Sequence, residues 1–374
     1  MPDPVDRIGG LPVVRQLPDL LRAQGEARLR GAAGSGGALI AAWLAESVRT
    51  PALIVCPGQD EAEEFAEDLN LFRPGSACCF PALEVLPGDE EEPNEAILRA
   101  RLAVLRFLSF GEAEEAADDF LDVLYPPPSP DTRVVVAPIY ALMQPTRTVE
   151  GLRRGARNVS VGEPTGPGEI VTWLVDRDYV SVPQVRVPGQ YCLRGGILDV
   201  YSHGALEPVR VEFFGDEVDS IRKFDPDTQR STGRVERCQL TVSEHPGAEE
   251  EQDRGSLLDY FEPDCAAAIV QPERTWHRCE VMHGQAPSHH GLRGLDELRP
   301  ELDGHPCLIL GLDEEADAPR APVRPKDSYG PDLDSMLAEL ARICGDYRDV
   351  ILYCIRPAEA DRFRALLRDR EFEQ

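Results

Sequence analysis

A glycine-rich loop (GAAGSGG) is the first stretch whose residue types and spacing could carry chemistry. Gly31 and Gly36 have the spacing of the two glycines in the phosphate-binding motif G-x-x-x-x-G-K-S/T, and Gly34 lies between them. That motif continues with a lysine that reaches the β- and γ-phosphates and a hydroxyl that binds Mg²⁺. This chain has Gly37 and Ala38 at those two positions. We therefore predict a degenerate loop without nucleotide chemistry.

The second half of a nucleotide site is also incomplete. ATP-hydrolysing motors place an Asp-Glu pair at the end of a buried strand to hold Mg²⁺ and polarise water. The comparable strand here ends in Gln271-Pro272-Glu273, so Glu273 has no acidic neighbour. The only two lysines, Lys223 and Lys326, are far from the loop in sequence. A hydrolase with a variant loop remains the alternative, and it predicts micromolar binding of ATP with Mg²⁺.

A group of histidines and one cysteine raises the question of a metal site: His277, Cys279, His283, His289 and His290. Their spacing fits none of the usual zinc patterns. The last two histidines belong to a polar segment (PSHHG) typical of a loop. We therefore predict that the chain binds no metal through them.

Arg194 lies in a β-rich stretch, and the chemistry it suggests is recognition. Residues 179–231 contain β-branched and aromatic segments separated by Pro-Gly, His-Gly and Gly-Asp turns. A Gly-Gly pair follows Arg194 and interrupts the apolar alternation, which predicts either a bulge within one strand or a close approach by another backbone. A guanidinium binds a carboxylate bidentately and stays charged. We expect Arg194 to contact a partner; a salt bridge to Glu212 or Asp199 is the alternative.

Two tyrosines accompany this arginine. Protein interfaces draw much of their binding energy from arginine and aromatic side chains, which makes Tyr191 and Tyr201 candidate contacts. Tyr191 and Arg194 are three residues apart and would face opposite ways in a regular strand. A shared face therefore requires the predicted bulge.

The charge distribution also points to this stretch. The 374 residues suffice for two or three domains, and the net charge of −28 argues against a nucleic-acid-binding surface. Residues 146–237 hold 13 Lys/Arg against 14 Asp/Glu, so nearly all of the excess negative charge lies elsewhere. We expect an acidic protein partner to dock on this near-neutral module. A low glutamate content in β-rich domains is the alternative.

The cysteine content and the acidic segment predict the cellular compartment and a surface insertion. Ten cysteines without a CxxC pair indicate reduced core thiols and a cytoplasmic protein, and there is no signal peptide and no apolar run of membrane-spanning length. The acidic and proline-rich residues 111–131 predict a surface insertion. An acidic scaffold or DNA mimic that acts through this insertion is the alternative.

The sequence around Arg194 resembles a known family. PGQYCLRGGILDVYS, followed by PVRVEFFGDEVDSIRKFDPDTQRS, is similar to domain 2 of the bacterial transcription-repair coupling factor and, more loosely, of the excision-repair subunit UvrB. The resemblance implies a non-catalytic adaptor that binds the damage-recognition ATPase UvrA and needs no cofactor. It also implies that RNA polymerase and DNA are bound only through regions that follow in the family, so we expect a fragment or a split gene product.

The resemblance also assigns candidate contacts. Arg194 matches one UvrA-contacting arginine of the family. A second family arginine has no counterpart because this chain has Val180 in its place, and Arg177 and Arg186 are the candidate substitutes. UvrB also clamps damaged DNA with an aromatic hairpin. Nothing comparable follows Phe80, which predicts no direct damage verification.

These residues require a particular set of elements. The sequence predicts helix, loop and helix over residues 11–50, then alternating strands and helices typical of a parallel sheet. We predict an α/β fold: a degenerate RecA-like (P-loop NTPase-type) domain at 1–145, with an inserted β-rich α+β domain at 146–237. Residues 238–374, with strands at CLILGL and DVILYCI, are predicted to form a small α/β layer that completes the first domain.

Overall fold

Two main sheets, one parallel and one mostly antiparallel, organise this chain. They are seen in a computed structural model, which describes residues 3–32, 34–49, 51–85, 93–111, 125–243, 251–285, 291–311, 318–323, 333–347, 350–352, 354 and 357–369. The regular elements fall into three successive parts of the chain.

The first part alternates helices with buried strands. Its elements are α1 (Pro4–Gly9), α2 (Pro12–Arg15), α3 (Leu17–Gln24), β1 (Glu26–Arg30), α4 (Ser35–Ala45), β2 (Ala52–Cys56), α5 (Gln59–Phe72), β3 (Ala77–Cys79), α6 (Glu95–Phe110), β4 (Val134–Pro138) and α7 (Ile139–Met143). Every residue of β2, β3 and β4 is buried, which is typical of parallel strands that have helices on both faces.

The middle part consists mainly of short strands. Its elements are β5 (Thr146–Arg147), α8 (Val149–Arg154), β6 (Ala156–Ser160), α9 (Pro167–Val175), β7 (Val180–Ser181), β8 (Gln190–Arg194), β9 (Ile197–Tyr201), β10 (Val209–Phe213), β11 (Val218–Phe224), β12 (Ser231–Val235) and β13 (Arg237–Thr241). The order β12-β11-β10-β9-β8-β7 forms a six-stranded sheet, which is antiparallel except for the β7–β8 pair.

The last part returns to helices and two buried strands. Its elements are two 3₁₀ helices (Glu251–Asp253 and Leu257–Tyr260), β14 (Arg254–Gly255), β15 (Ala267–Val270), α10 (Pro272–Gln285), α11 (Leu295–Asp303), β16 (Cys307–Gly311), α12 (Leu333–Asp346) and α13 (Pro357–Asp369). Strands β15 and β16 enter the parallel sheet, whose order is β1-β16-β15-β2-β4-β3. The predicted segments 1–145 and 238–374 therefore share one sheet.

The end of the antiparallel sheet is hydrogen-bonded to β13 and also approaches α6 of the parallel-sheet domain. Tyr179 donates its hydroxyl to the carbonyl of Thr241 at 2.6 Å, and the Thr241 hydroxyl donates to the carbonyl of His203 at 2.6 Å. The His203 ring stands edge-on to Tyr179, with 5.2 Å between ring centroids. At Gly204 a Cβ would lie 2.7 Å from Cδ2 of Leu102 on α6, so the two domains meet closely here.

Four local predictions from the sequence are wrong. The interval between the two predicted helices of residues 11–50 contains strand β1, whose outer positions are charged. Residues 179–187 (YVSVPQVRV), whose β-branched residues predict a strand, form only the two-residue β7, because Pro183 cannot donate to a sheet. The segment around Arg194 is a hairpin and not one bulged strand. The predicted strand DVILYCI has no strand at its described residues, 350–352 and 354.

The predicted fold class is confirmed: an α/β chain with a six-stranded parallel sheet and a separate β-rich sheet. Within the described residues, no helix combines the length and the apolarity needed to cross a bilayer.

Candidate functional site

Arg194 is the last residue of β8, beside a tight hairpin turn. Gly195 and Gly196 form the two-residue loop, and Arg194 pairs with Ile197, the first residue of β9. Gly195 has φ +61°, in the left-handed region that glycine reaches without strain. The Gly-Gly pair therefore reverses the chain, and Arg194 is exposed at the tip of the hairpin.

The antiparallel sheet has two chemically different faces because successive side chains alternate. One face packs on α9 and forms a core that includes Ile170, Leu174, Tyr191, Leu198, Val200, Val209, Val211 and Ile221. The other face carries charges. We call it the arginine face and define it by nine residues: Cys192, Arg194, Ile197, Asp199, Arg210, Glu212, Ser220, Arg222 and Arg234.

The strand register aligns three arginines in one row of the arginine face. Arg210 pairs with Arg222 across β10 and β11, and Arg222 pairs with Arg234 across β11 and β12. Like charges directly opposite each other destabilise a sheet. The face holds four arginines against two carboxylates, so it keeps a positive excess.

Both carboxylates of the arginine face already have partners. Asp199, whose side chain is 5% exposed, accepts from Nε and Nη2 of Arg210 at 2.7 and 2.9 Å. This hydrogen bond raises the pKa of Arg210, whose guanidinium also lies 4.7 Å from the Phe224 ring centroid. Glu212 accepts from Ser220 Oγ at 2.7 Å and from Arg222.

Arg194 therefore has a different partner from those expected. Its Nη2 donates to the carbonyl of Pro183. The expected alternative, a salt bridge to Glu212 or Asp199, is wrong because other groups occupy these carboxylates. Among the residues that the structure describes, no carboxylate forms an ion pair with Arg194, which leaves its charge available to a partner.

The loop of residues 182–188 covers one end of the arginine face. Val185 is fully buried against Cys192 and Phe224. Arg186, in the same loop, is exposed, and its backbone N–H donates to Oε1 of Gln190 at 2.9 Å. The loop that accepts the Arg194 hydrogen bond therefore also presents Arg186 to solvent.

The other candidate contacts lie in different surroundings. Tyr201 is on the same side of the sheet as Arg194, packs near Val185 and donates its hydroxyl to Leu206 O at 2.9 Å. Tyr191 is only 7% exposed and belongs to the core on the opposite face. The expectation that a bulge turns Tyr191 to the side of Arg194 is wrong, because the hairpin keeps regular alternation.

Arg177 follows α9, the helix that covers the opposite face. Its guanidinium lies 4.4 Å from the Trp173 ring centroid, and its nitrogens donate to the carbonyls of Trp173 and Arg154 at 3.3 and 3.2 Å. Burial lowers the pKa of Arg177. The structure thus brings Arg186 and Tyr201, but not Arg177, to the side of Arg194.

Phe214 is a surface residue that the sequence reasoning missed. It follows β10 and is 84% exposed, the highest value among the large apolar side chains that the structure describes. Val209, Val211 and Phe213 alternate into the core, so the second phenylalanine of the EFFGD segment must point outward. This alternation was the available signal.

The glycine-rich loop connects β1 to α4, as a phosphate-binding loop does, but the chain itself lies beside it. The backbone of Arg30 donates to Pro319 O at 3.0 Å, and Ala321 N donates to Arg30 O at 2.7 Å. Val323, in the same segment, touches Gly36: a Cβ there would lie 2.8 Å from Cγ2 of Val323. An apolar side chain thus covers the second glycine of the motif.

A carboxylate also stands at the amino terminus of α4. Asp68 on α5 is hydrogen-bonded to the side chain of Ser35, the first residue of that helix, and burial raises the pKa of Asp68. In functional phosphate-binding loops the phosphates approach this end of the helix. A carboxylate there repels phosphate.

The histidine group does not form a metal site in the part that is described. His277, Cys279 and His283 lie on α10, a helix that the sequence reasoning did not identify. Cys279 is buried, which raises the pKa of its thiol to about 11. No cluster of three or more His, Cys, Asp or Glu side chains is arranged for a metal ion in the described ranges. Residues 289 and 290 fall outside them, as do 112–124 of the predicted surface insertion.

Comparison with known proteins identifies related sequences. Residues 158–245, which contain the arginine face, match the UvrB interaction domain family. The chain is 32% identical over 241 residues to a transcription-repair-coupling factor of Myxococcus xanthus (63% of this chain, 18% of the relative). Those of Bacillus subtilis and Escherichia coli are each 29% identical over 207 and 217 residues (55% and 58% of this chain, 16% and 17% of the relatives).

The chain thus spans less than one fifth of the length of these curated relatives. The resemblance to the coupling factor, drawn from the segments around Arg194, is confirmed.

Proposed function

We propose that this chain is a non-catalytic, UvrB-like adaptor that recruits UvrA through residues 146–237 in transcription-coupled nucleotide excision repair. One observation carries the proposal: the arginine face lies within the residues that match the UvrB interaction domain. The name of that domain denotes interaction, and the face has the chemistry that recognises an acidic protein surface.

The arrangement of charge supports a binding role. Three arginines in one cross-strand row oppose one another, which costs sheet stability. A sheet selected only for stability has no need of that row. Arg194 lies at the open end of the same face, with its guanidinium held by a backbone carbonyl and not by a carboxylate. A partner carboxylate can therefore bind Arg194 without first displacing an ion pair.

The glycine-rich loop supports the absence of nucleotide hydrolysis. Val323 contacts Gly36, and Asp68 brings a carboxylate to the amino terminus of α4. The positions that should supply the lysine and the Mg²⁺-binding hydroxyl hold Gly37 and Ala38. We propose that the parallel-sheet domain serves as a support for the arginine face and not as a motor.

In this chain Val180 occupies the position of the second family arginine, and we propose that Arg186 replaces that arginine. It is exposed in the loop that covers one end of the arginine face, whereas Arg177 is bonded to backbone carbonyls beside α9. We propose that RNA polymerase and DNA are bound only through regions of the coupling factor that this chain does not contain.

Binding to purified UvrA tests the proposal. The wild type is compared with Arg194→Ala and Arg194→Glu, and Lys223→Glu is the matched control because Lys223 is an exposed cation on the opposite face of the same sheet. We expect Arg194→Ala to cost about 1–3 kcal/mol of binding free energy, Arg194→Glu to cost more, and the control to bind normally. Equal binding by the wild type and all three variants would show that Arg194 is not part of the interface. Absence of binding by the wild type would refute the proposal.

A further inference from the structure

Phe214 stands out from the surface of the antiparallel sheet. The residue is 84% exposed, although a phenylalanine in a monomeric protein usually buries most of its area. It lies at the β10–β11 turn, where its N–H donates to Glu217 O at 2.9 Å and Gly215 has φ +64°. Phe214 is therefore part of a hydrogen-bonded turn and is exposed to solvent.

The sheet register places Phe214 beside the open end of the arginine face. It directly follows β10, two residues after Glu212, and the N–H of Phe213 donates to Gly196 O of the Arg194 hairpin at 2.8 Å. Glu212 pairs with Ile197, and Ile197 pairs with Arg194. Ile197 is itself 40% exposed. The tip therefore combines an aromatic ring, an aliphatic side chain and a guanidinium within neighbouring positions.

Two carboxylates near Phe214, those of Asp216 and Glu212, are directed to other groups. Asp216 points toward the start of α9, since a Cβ at Gly166 would lie 2.9 Å from its Oδ1. Glu212 is occupied by Ser220 and Arg222. Glu217, at the end of the turn, is exposed, and the cation nearest to this patch in the sheet register is Arg194.

We infer that Phe214, with Ile197 beside it, is the apolar anchor of the contact proposed above. The inference rests on the proposed function and specifies the partner's side: an apolar socket that takes the phenyl ring, with carboxylates on the rim that faces Arg194. Buried aromatic anchors surrounded by a polar rim carry much of the binding energy at protein interfaces.

The two residues have different kinetic roles in this arrangement. Rim charges steer the encounter and act mainly on the association rate, with a strong dependence on salt. A ring that leaves water on docking acts mainly on the dissociation rate. Loss of the ring should therefore shorten the lifetime of the complex and leave its formation rate almost unchanged.

Association and dissociation rates with purified UvrA test this inference. The variants are Phe214→Ala, Arg194→Glu and, as matched control, Val175→Ala, since Val175 is an exposed apolar residue (54%) at the end of α9 on the other side of the sheet. We expect Phe214→Ala to dissociate roughly 10- to 100-fold faster with an unchanged association rate. We expect Val175→Ala to match the wild type. Thermal melts verify that each variant is folded.

A second readout follows the ring directly. Emission of the Phe214→Trp variant should shift to shorter wavelength when UvrA is added, because the indole leaves water. If Arg194→Glu abolishes binding while Phe214→Ala retains wild-type rates, the anchor is refuted and the proposed function stands. If the wild type does not bind UvrA, both are refuted.

Discussion

A Cβ atom added at Gly36 would lie 2.8 Å from Cγ2 and 3.0 Å from Cβ of Val323, so the glycine-rich loop is in direct contact with the chain's own segment 318–323. Ala321 of this segment is 3% exposed and belongs to the core of the parallel-sheet domain. Segment 318–323 therefore packs into the core through Ala321 and covers the glycine-rich loop with Val323.

This contact predicts that Gly36→Ala destabilises the domain. Replacing glycine by alanine within a helix normally raises the free energy of unfolding by up to about 1 kcal/mol. Here the added methyl meets the Cβ of a stiff, β-branched valine, and overpacking costs about 1–3 kcal/mol. We expect a net loss of about 1 kcal/mol in the free energy of unfolding, measured with urea.

Gly168→Ala is the matched control for that experiment. Gly168 is also the second residue of its helix, α9, and a Cβ there meets nothing within 4 Å. This variant should be as stable as the wild type or slightly more stable. Equal stability of the Gly36→Ala and Gly168→Ala variants would contradict the contact with Val323.

The same surroundings predict that the chain does not bind ATP. The loop lacks the lysine, Val323 covers its second glycine and the Asp68 carboxylate faces the start of α4. Isothermal titration with ATP and Mg²⁺ should give no saturable heat. Micromolar binding would support the alternative of a variant hydrolase instead.

The sequence predicted those parts of the fold that show strong local patterns. The continuous apolar runs of β2 and β4 could be recognised as buried strands without knowledge of their neighbours. Strand β1 could not, because EARLR has only two apolar residues and its partner, β16, lies far along the chain. The pairing of Leu29 with Leu310 is a tertiary constraint that no local window contains.

The same limit applies to the candidate site. Arg194 could be singled out because a charged residue interrupts an apolar pattern. The row of Arg210, Arg222 and Arg234 could not, because it depends on the register of three strands. The hairpin at Gly195 was mistaken for a bulge, since both place a glycine with positive φ in a strand-like pattern.

The buried pair of Asp199 and Arg210 should stabilise the antiparallel sheet. Removal of one partner leaves the other charge without compensation in a low-dielectric setting. We expect Asp199→Ala to lower the free energy of unfolding by about 3 kcal/mol. Chemical denaturation at pH 7 measures this difference.

Glu212→Ala is the matched control, because Glu212 lies on the next strand of the same face. Its side chain is 29% exposed and its ion pair with Arg222 is longer, at 3.4 Å. A partly exposed pair contributes about 1 kcal/mol or less. A cost for Asp199→Ala no larger than that for Glu212→Ala would show that the Arg210 pair contributes no more than a surface pair.

His203, next to Gly204 where the two domains approach each other, should make stability depend on pH. Burial, aided by the charge of Arg147, lowers its pKa from 6.5 to about 4. The unfolded chain then binds a proton near pH 6.5 while the folded chain stays neutral, so stability is fully present above pH 6.5 and falls as the pH approaches 4. We expect a loss of about 2 kcal/mol between pH 8 and pH 5 from this residue. Urea denaturation of the wild type and of His203→Gln at both pH values measures it, with a smaller loss expected in the variant. If the free energy of unfolding falls equally in the wild type and in His203→Gln between the two pH values, groups other than His203 take up the proton.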